Sequence, residues 1–283
     1  MPYVAYWMLQ CAHAELQYCD SHRAGCEDGS VMNLTEAIQK RVSCRAYANR
    51  PVEQEVFDQL EQYIQELNAE SGLHFQLYGP RPDSASAIDM SETMFTGTVS
   101  CYAALVAPND ALSGEQVGYY GEKLVLFATQ LGLGTCWVAS TYDSTTVRAE
   151  VQQGELLWDV VPIGYAMEKT PMKQHLVRMG LRKRDKRPSA LTESDLPFDQ
   201  LPTWFKAGID SVILGPSAVN GQPVVFGFHD GCVTADIPQY KRDVEYNDLG
   251  IAKLHFEIAA RENGVNGTWE WGRGSQFRYE PEA

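Results

Sequence analysis

Two matches recur along this chain in the same order, and together they limit its fold more than any other feature. The tetrapeptide FDQL stands at Phe57–Leu60 and again at Phe198–Leu201. Gly118 precedes Trp137 by 19 residues through a helical pattern and GLGTCW, and Gly250 precedes Trp269 by the same 19 through another helical pattern and GVNGTW. Each recurrence keeps its context: FDQL early in a helix that feeds a strand, Gly to Trp along a helix and out through glycines. A pattern repeated on this scale predicts one supersecondary unit used twice, each copy needing the other to bury its apolar face. The pseudo-halves run over about 32–190 and 191–283. The helix and strand patterns in both halves make the expected class α+β, internally duplicated.

Element signals fill in both halves. From Met32, NLTEAIQKR reads as a helix that Asn33 or Thr35 can cap, with Glu36 in its first turn and Leu34, Ile38 and Val42 along one side. PVEQEVFDQLEQYIQELNAESG is a longer helix, with Pro51 near its start, Val56, Leu60, Ile64 and Leu67 at helical spacing, and Gly72 as its stop. LHFQLYG alternates as a strand, and Pro80–Gly97 is a Ser-, Asp-, Thr- and Pro-rich loop placed to act as a lid. CYAALVAP is a buried strand. A capping signal at Ser113 opens a mostly apolar, central helix that ends at GLGT. WDVVPIGYAM is another strand, and a helix from Leu196 passes through Trp204, Phe205 and Ile209. VVFGFHDGCVTADI is a hairpin turned at Asp230-Gly231, and a last helix over Asn247–Glu262 precedes a GVNGTWEWGRG tail.

Residues 1–31 stand apart from this pattern. They have no basic n-region and no small-residue cleavage site, and Cys11 follows Gln10, so neither a signal peptide nor a lipoprotein site is indicated. Cys11, Cys19 and Cys26, with His13 and His22, are spaced more widely than zinc ligands usually are. The expectation is a leader, disordered or mis-started, ahead of Met32.

Charge narrows the partners. A net charge of -14 and a pI of about 4.8 argue against nucleic acid or an anionic membrane as the main partner. A bound phosphate must therefore be met by local cations, of which Arg41, Arg45 and the run from Arg182 to Arg187 are the available ones. Seven cysteines with no C-x-x-C pair indicate neither a disulfide framework nor a zinc ribbon, and point to a reducing cytoplasm. No apolar run is long enough for a membrane span.

Three stretches carry chemistry. GPSAVNGQPVVF, from Gly215 to Phe226, joins the end of a helix to a buried strand through small polar residues that can offer hydroxyl, amide or backbone N–H groups. KRVSCRAY, from Lys40 to Tyr47, sets Arg41, Ser43 and Arg45 at alternate positions, two guanidiniums flanking a hydroxyl, which suits phosphate. GLGTCW ends the central helix. Each also has a plainer reading: a surface ion pair, a helix-to-strand connection, a helix end with left-handed glycines. Cys44 and Cys136 read as packing residues, and His74, His175, His229 and His255 share no spacing and read as structural. Neither a Walker loop nor a G-x-G-x-x-G after a strand occurs.

Taken together, the three stretches resemble the FMN-dependent nitroreductase family. Its R-x-S-x-R appears as Arg41-Val42-Ser43-Cys44-Arg45, and its P-S-x-x-N-x-Q-P as Pro216 to Pro223. The resemblance runs from about Met32 to the C-terminus and implies an α+β nitroreductase-like fold, a central mixed or antiparallel sheet flanked by helices. Members are usually intertwined dimers in which one subunit gives R-x-S-x-R and the other P-S-x-x-N to each interfacial FMN. Here each motif occurs once, in opposite halves, which implies a fused pseudo-dimer with one complete FMN site and one decayed site, as in the nitroreductase subgroup that carries the fold as an internal duplication.

By that resemblance Arg41 and Ser43 hold the phosphate, Arg45 reaches the ribityl chain or the N1/O2 edge, and Arg184 and Lys186, before Pro188, complete the phosphate site. Pro216, Ser217 and Asn220 line the ring, and the backbone at Val138 and Ala139 lies near N5. The implied activity is a ping-pong transfer of hydride from NAD(P)H, through non-covalent FMN, to a nitroaromatic, quinone or similar acceptor, with no protein acid or base and no metal. A dehalogenase or flavin-fragmenting enzyme of the same superfamily, or a flavin-binding sensor without turnover, are the alternatives. The chain is expected to be a cytoplasmic monomer or weak homodimer.

Overall fold

Local signals start each helix, and the packing of two of them sets the architecture. In this computed structural model, residues 32–79, 86–92, 94–169, 171–172 and 186–279 are described. Asn33 accepts the Glu36 amide and Glu36 reaches back to the Asn33 amide, a capping box that opens α1, Leu34–Lys40. This short helix buries Ala37 and Ile38, while Leu34 and Val42 stay exposed. Val42 lies beyond the helix end, so the expected side does not form. β1 (Ala46–Tyr47) follows. α2, Gln54–Ser71, buries Phe57, Leu60, Ile64 and Leu67 and stops at Gly72, whose φ of 75° is left-handed.

β2 (His74–Tyr78), β3 (Thr96–Gly97) and β4 (Cys101–Pro108) lead to α3, Ala111–Gln130. Asp110, rather than Ser113, caps α3: its carboxylate accepts both the amide and the hydroxyl of Ser113, which becomes the third helical residue. β5 (Gly134–Thr135) and β6 (Glu155–Gly164) close the first half. In the second half, β7 (Thr192–Ser194) precedes a 3-10 turn at Phe198–Gln200. Pro202 then delays α4 to Thr203–Leu214, so the second FDQL is a single turn rather than part of the expected long helix. β8 (Val225–His229) and β9 (Cys232–Asp236) form the expected hairpin, with Asp230 and Gly231 both at positive φ. α5, Val244–Glu262, follows, and the tail is itself a hairpin, β10 (Gly267–Trp269) with β11 (Ser275–Tyr279).

The strands make two larger sheets and one small pair. One sheet runs β2-β4-β6-β5, antiparallel throughout. The other runs β8-β9-β11-β10, also antiparallel, with β7 added parallel to β8 at its edge. β1 pairs with β3 in parallel. In chain order, α2-β2-β4-α3-β5-β6 and α4-β8-β9-α5-β10-β11 thread their sheets alike: the last strand inserts beside the second and leaves the penultimate one at an edge.

α3 and α5 cross at the middle of the molecule, backbone against backbone. A Cβ on Gly118 would stand 2.0 Å from the Asn247 carbonyl oxygen, and one on Gly250 would stand 1.9 Å from that of Glu115. The contact is reciprocal, since Glu115 and Asn247 each lie three residues before the glycine of their own helix. Gly118→Ala is expected to push the helices apart and cost about 1–3 kcal/mol, read as a lower urea midpoint; an unchanged midpoint would mean that the crossing yields freely. A second apolar cluster joins Cys44, Tyr47, Ile88, Phe95, Val99, Tyr102, Cys136, Val138 and Val160. Among the described residues no helix is long and apolar enough to cross a membrane.

Candidate active site

Three stretches far apart in sequence meet on one buried carboxylate. Glu122, on α3, is fully buried, and so is His255, on α5. Glu122 Oε1 lies 3.0 Å from His255 Nε2 and 3.7 Å from Arg41 Nε, and its Oε2 accepts from Trp137 Nε1 at 2.8 Å. His255 Nδ1, 3.0 Å from the Ser211 carbonyl, must donate there, because a carbonyl can only accept. Arg41 Nη2 also donates to the Leu214 carbonyl at 3.0 Å, at the end of α4 just ahead of Gly215. Its Nε has no hydrogen-bond partner. One carboxylate thus holds the R-x-S-x-R stretch and GLGTCW directly, and through Arg41 and His255 it is tied to the helix leading into GPSAVNGQP.

Ser43 and Arg45 sit beside this hub. Ser43 bridges Thr135 in parallel, and the Cys44 amide donates to the Thr135 carbonyl at 2.7 Å. Arg45, Arg41 and Ser43 all lie close enough to oppose the rise that burial gives the Cys136 thiol. Burial likewise lifts Cys44 to about 11, so neither cysteine is an activated nucleophile at neutral pH. Arg45 is half-buried and has no carboxylate partner among the described residues. Val138 exchanges both backbone bonds with Val160, so its amide is spent within the sheet; the exposed Ala139 follows it.

Opposite lies the segment Gly215–Pro223. Ser217 Oγ accepts the Gln222 amide at 3.0 Å. The buried Gln222 side chain donates to the Ile213 carbonyl at 3.1 Å and accepts the Lys186 amide at 2.7 Å. Lys186 Nζ donates to the Gln222 carbonyl at 2.8 Å, so this ammonium clamps the loop. Pro216 and Ser217 are half-buried, as is Asn220, and Val219, Asn220 and Gln222 all have positive φ. Arg184, His175, residues 1–31, and residues 80–85 and 93 of the expected lid lie outside the described residues. The rest of that lid is packed, with Ile88 and Phe95 in the same cluster as Val138.

Sequence reasoning missed Glu122, His255 and Asp248. Asp248, on α5, accepts the Ala218 amide at 2.9 Å, and burial raises its carboxyl to about 7, with Glu245 adding to the rise while the Ala218 amide and Arg242 oppose it. Asp159, on β6, is held well above the usual carboxylate range by burial and by Asp248, although Asn247 donates to it. For His255 the available signal was a polar residue inside a largely apolar helical run, whereas Glu122 beside Lys123 and Asp248 beside Asn247 read as solvated positions.

Comparison with known proteins follows the same lines. A sequence-family model described as "Putative TM nitroreductase" matches residues 33–260. The crystal structure of a "putative nitroreductase" from Thermotoga maritima is 22% identical and superposes with a TM-score of 0.60, covering 92% of this chain and 96% of that one. An FMN-dependent nitroreductase from Clostridium difficile is 20% identical over 47% of this chain and 88% of its own, with a TM-score of 0.37. A nitroreductase with bound FMN from Bacteroides fragilis is 20% identical over 50% and 91%, with a TM-score of 0.35. No curated protein matches the chain.

Proposed function

The chain belongs to this nitroreductase family, and on that premise we propose that it is an FMN-dependent oxidoreductase passing hydride from NAD(P)H to a nitroaromatic, quinone or similar acceptor in a ping-pong cycle. The observation that carries the proposal is that the R-x-S-x-R and GLGTCW stretches meet on Glu122, and that Arg41 reaches from there to Leu214, the residue before the third stretch. The donor set around that hub suits a flavin mononucleotide. Ser43 and Arg45 offer a hydroxyl and a guanidinium without a carboxylate partner among the described residues, and Ser217 and Asn220 offer small polar groups from the other half. Bound there, FMN would supply the hydride chemistry, and the protein binding, orientation and electrostatics. Arg45 and Ser43 would anchor the phosphate end. Arg41, held by Glu122 and Leu214, would lend positive charge rather than a free fork. With the Val138 amide spent on Val160, the exposed Ala139 that follows it would be the backbone donor to the ring edge.

One flavin per chain is expected. The second half has no R-x-S-x-R, and Trp269, the counterpart of Trp137, donates to the Lys253 carbonyl instead. The duplicated halves would supply each other's partner surface, so the chain should run as a monomer or weak dimer on sizing; an obligate tight dimer sharing FMN at its interface would sink that part of the reading.

An absorbance spectrum of the purified protein, then NADH or NADPH without oxygen, tests the whole. Oxidised-flavin bands that bleach are expected; a colourless protein that FMN cannot reconstitute would overturn the proposal. Arg45→Gln should weaken FMN binding by about 1.5–3 kcal/mol, roughly 10- to 150-fold. A second reading, flavin binding without turnover, draws on Ile88 and Phe95 packed with Val138, and flavin bands that neither nucleotide bleaches would favour it.

A further inference from the structure

Beside the Glu122 hub lies a second buried polar cluster, outside all three motif stretches. Asp248 is 4% exposed; its Oδ1 accepts the Ala218 amide at 2.9 Å and its Oδ2 has no partner. Next to it, Asn247 donates through Nδ2 to Asp159, while its own Oδ1 is buried without a partner. Ala218 opens a segment in which φ reaches 50° at Val219, 54° at Asn220 and 44° at Gln222. Left-handed backbone is unfavourable for side-chain-bearing residues and most so for a β-branched one such as Val219. Such a shape persists only where surrounding bonds over-determine it. Ser217 and Lys186 grip this segment at its Gln222 end. Asp248 grips it at Ala218, from the helical core.

That carboxyl is costly where it stands. Val212, Val224, Ile251 and Ala252 line the same small cavity with Pro216, Ser217 and Gln222. A leucine of similar shape would lie there without desolvating a charge. What leucine lacks is an acceptor for the Ala218 amide. The charged groups facing Asp248 are Asp159 from β6 and Glu245 and Arg242 from the start of α5, and Arg242 is half-exposed and paired with Glu245. No cation on another element compensates it among the described residues.

We propose that Asp248 is a positioning residue of the flavin site, holding the Pro216–Asn220 segment in its ligand-binding shape through the Ala218 amide. The assignment rests on the reading of that segment as flavin-facing. It predicts an unusual split: removing the acid should leave the fold at least as stable, yet loosen the loop and lose cofactor.

The test compares the parent with Asp248→Leu, Asp248→Asn and Ala218→Pro by thermal unfolding, amide hydrogen exchange and titration with FMN. Ala218→Pro deletes the donor itself, and Ser217, at φ -148° and ψ 157°, already has the extended backbone that a residue before proline needs. Asp248→Leu should unfold no earlier than the parent, exchange the Ala218–Gln222 amides at least about tenfold faster and bind FMN at least about tenfold more weakly. Ala218→Pro should show the same loss of FMN, and should decide the matter if the leucine variant fails to fold. Asp248→Asn, which keeps an acceptor oxygen, should stay within about threefold of the parent in both loop exchange and FMN affinity. Unchanged exchange and affinity in folded Asp248→Leu and Ala218→Pro, or an Asn variant as impaired as the Leu one, would overturn the assignment. If the parent itself binds no FMN while the exchange differences persist, the flavin reading fails and the positioning role stands; if the parent binds FMN and exchange does not respond, the reverse holds.

Discussion

Lys253→Met is expected to destabilise the protein by about 3–5 kcal/mol, the cost of leaving one partner of a buried ion pair uncompensated. Lys253 is fully buried near the middle of α5, and its ammonium meets the Glu115 carboxylate from α3. The same ammonium donates to the carbonyls of Glu270 at 3.1 Å and Gly272 at 3.0 Å and to Ser275 Oγ at 2.7 Å. Burial pulls its pKa below the ordinary lysine value, and Glu115 is the main group that opposes the fall. Glu115 Oε2 in turn accepts the Gly272 amide at 2.7 Å, so the pair ties the α3–α5 crossing to the β10–β11 hairpin. Methionine keeps most of the lysine stem, which separates loss of charge from loss of packing. The double variant Glu115→Gln with Lys253→Met should recover much of the loss, because no unpaired charge then remains inside. Urea unfolding of parent, single and double variants decides it. A single variant within about 1 kcal/mol of the parent would mean that the Glu115 charge finds another partner or a proton.

Much of the framework was legible from local rules. Asn33, one of two expected caps, does cap its helix, Gly72 does stop the next and Asp230-Gly231 does turn the hairpin, because each signal is settled within a few residues. The errors came where a competing neighbour, a proline or a tertiary pairing decides. Asp110 outcompeted Ser113 as a cap, since its carboxylate can serve both amide and hydroxyl. Pro202 cut the helix that FDQL was expected to enter. Strands β10 and β11 were hidden in a glycine-rich tail, because their pairing with β9 is a tertiary event.

At the candidate site the motif residues were readable by type, but their engagements were not. Lys186 was placed at the phosphate by the family resemblance, yet its ammonium serves the Gln222 carbonyl, and Arg41 turns partly inward to Glu122. Glu122 and His255 are 133 residues apart, and Asp248 is 30 residues from Ala218. A single buried acid on a helix looks, in sequence, like one more solvated position. Its meaning comes from the partner that the fold brings to it.

Stability is expected to fall as pH rises from about 4 to about 7, opposite to the usual behaviour of paired carboxylates. The folded state holds a proton on Asp248 up to about 7, whereas the unfolded chain releases it near the ordinary value of 3.8. Between those two values the folded state binds more protons, so each rise in pH favours unfolding, and above about 7 this cost is complete. At about 1.36 kcal/mol per pKa unit the gap corresponds to about 4 kcal/mol from Asp248. Asp159, pushed up by burial and by Asp248, extends the fall to higher pH, and the two protons leave as a coupled pair. Glu53 acts the other way but lower: its hydrogen bonds with Tyr165 and Arg50 lower it to about 2, so its stabilisation is present above its ordinary 4.5 and is lost in acid. The optimum should therefore lie near pH 4, where the Glu53 gain is nearly complete and the Asp248 loss begins. Urea midpoints at pH 5 and pH 8 measure this directly, with Asp248→Asn as the comparison. That variant should lose much of the fall and be the more stable protein at pH 8, where the parent carries a buried anion. A parent more stable at pH 8 than at pH 5 would show that Asp248 ionises without cost, and the cluster would then need a compensating cation.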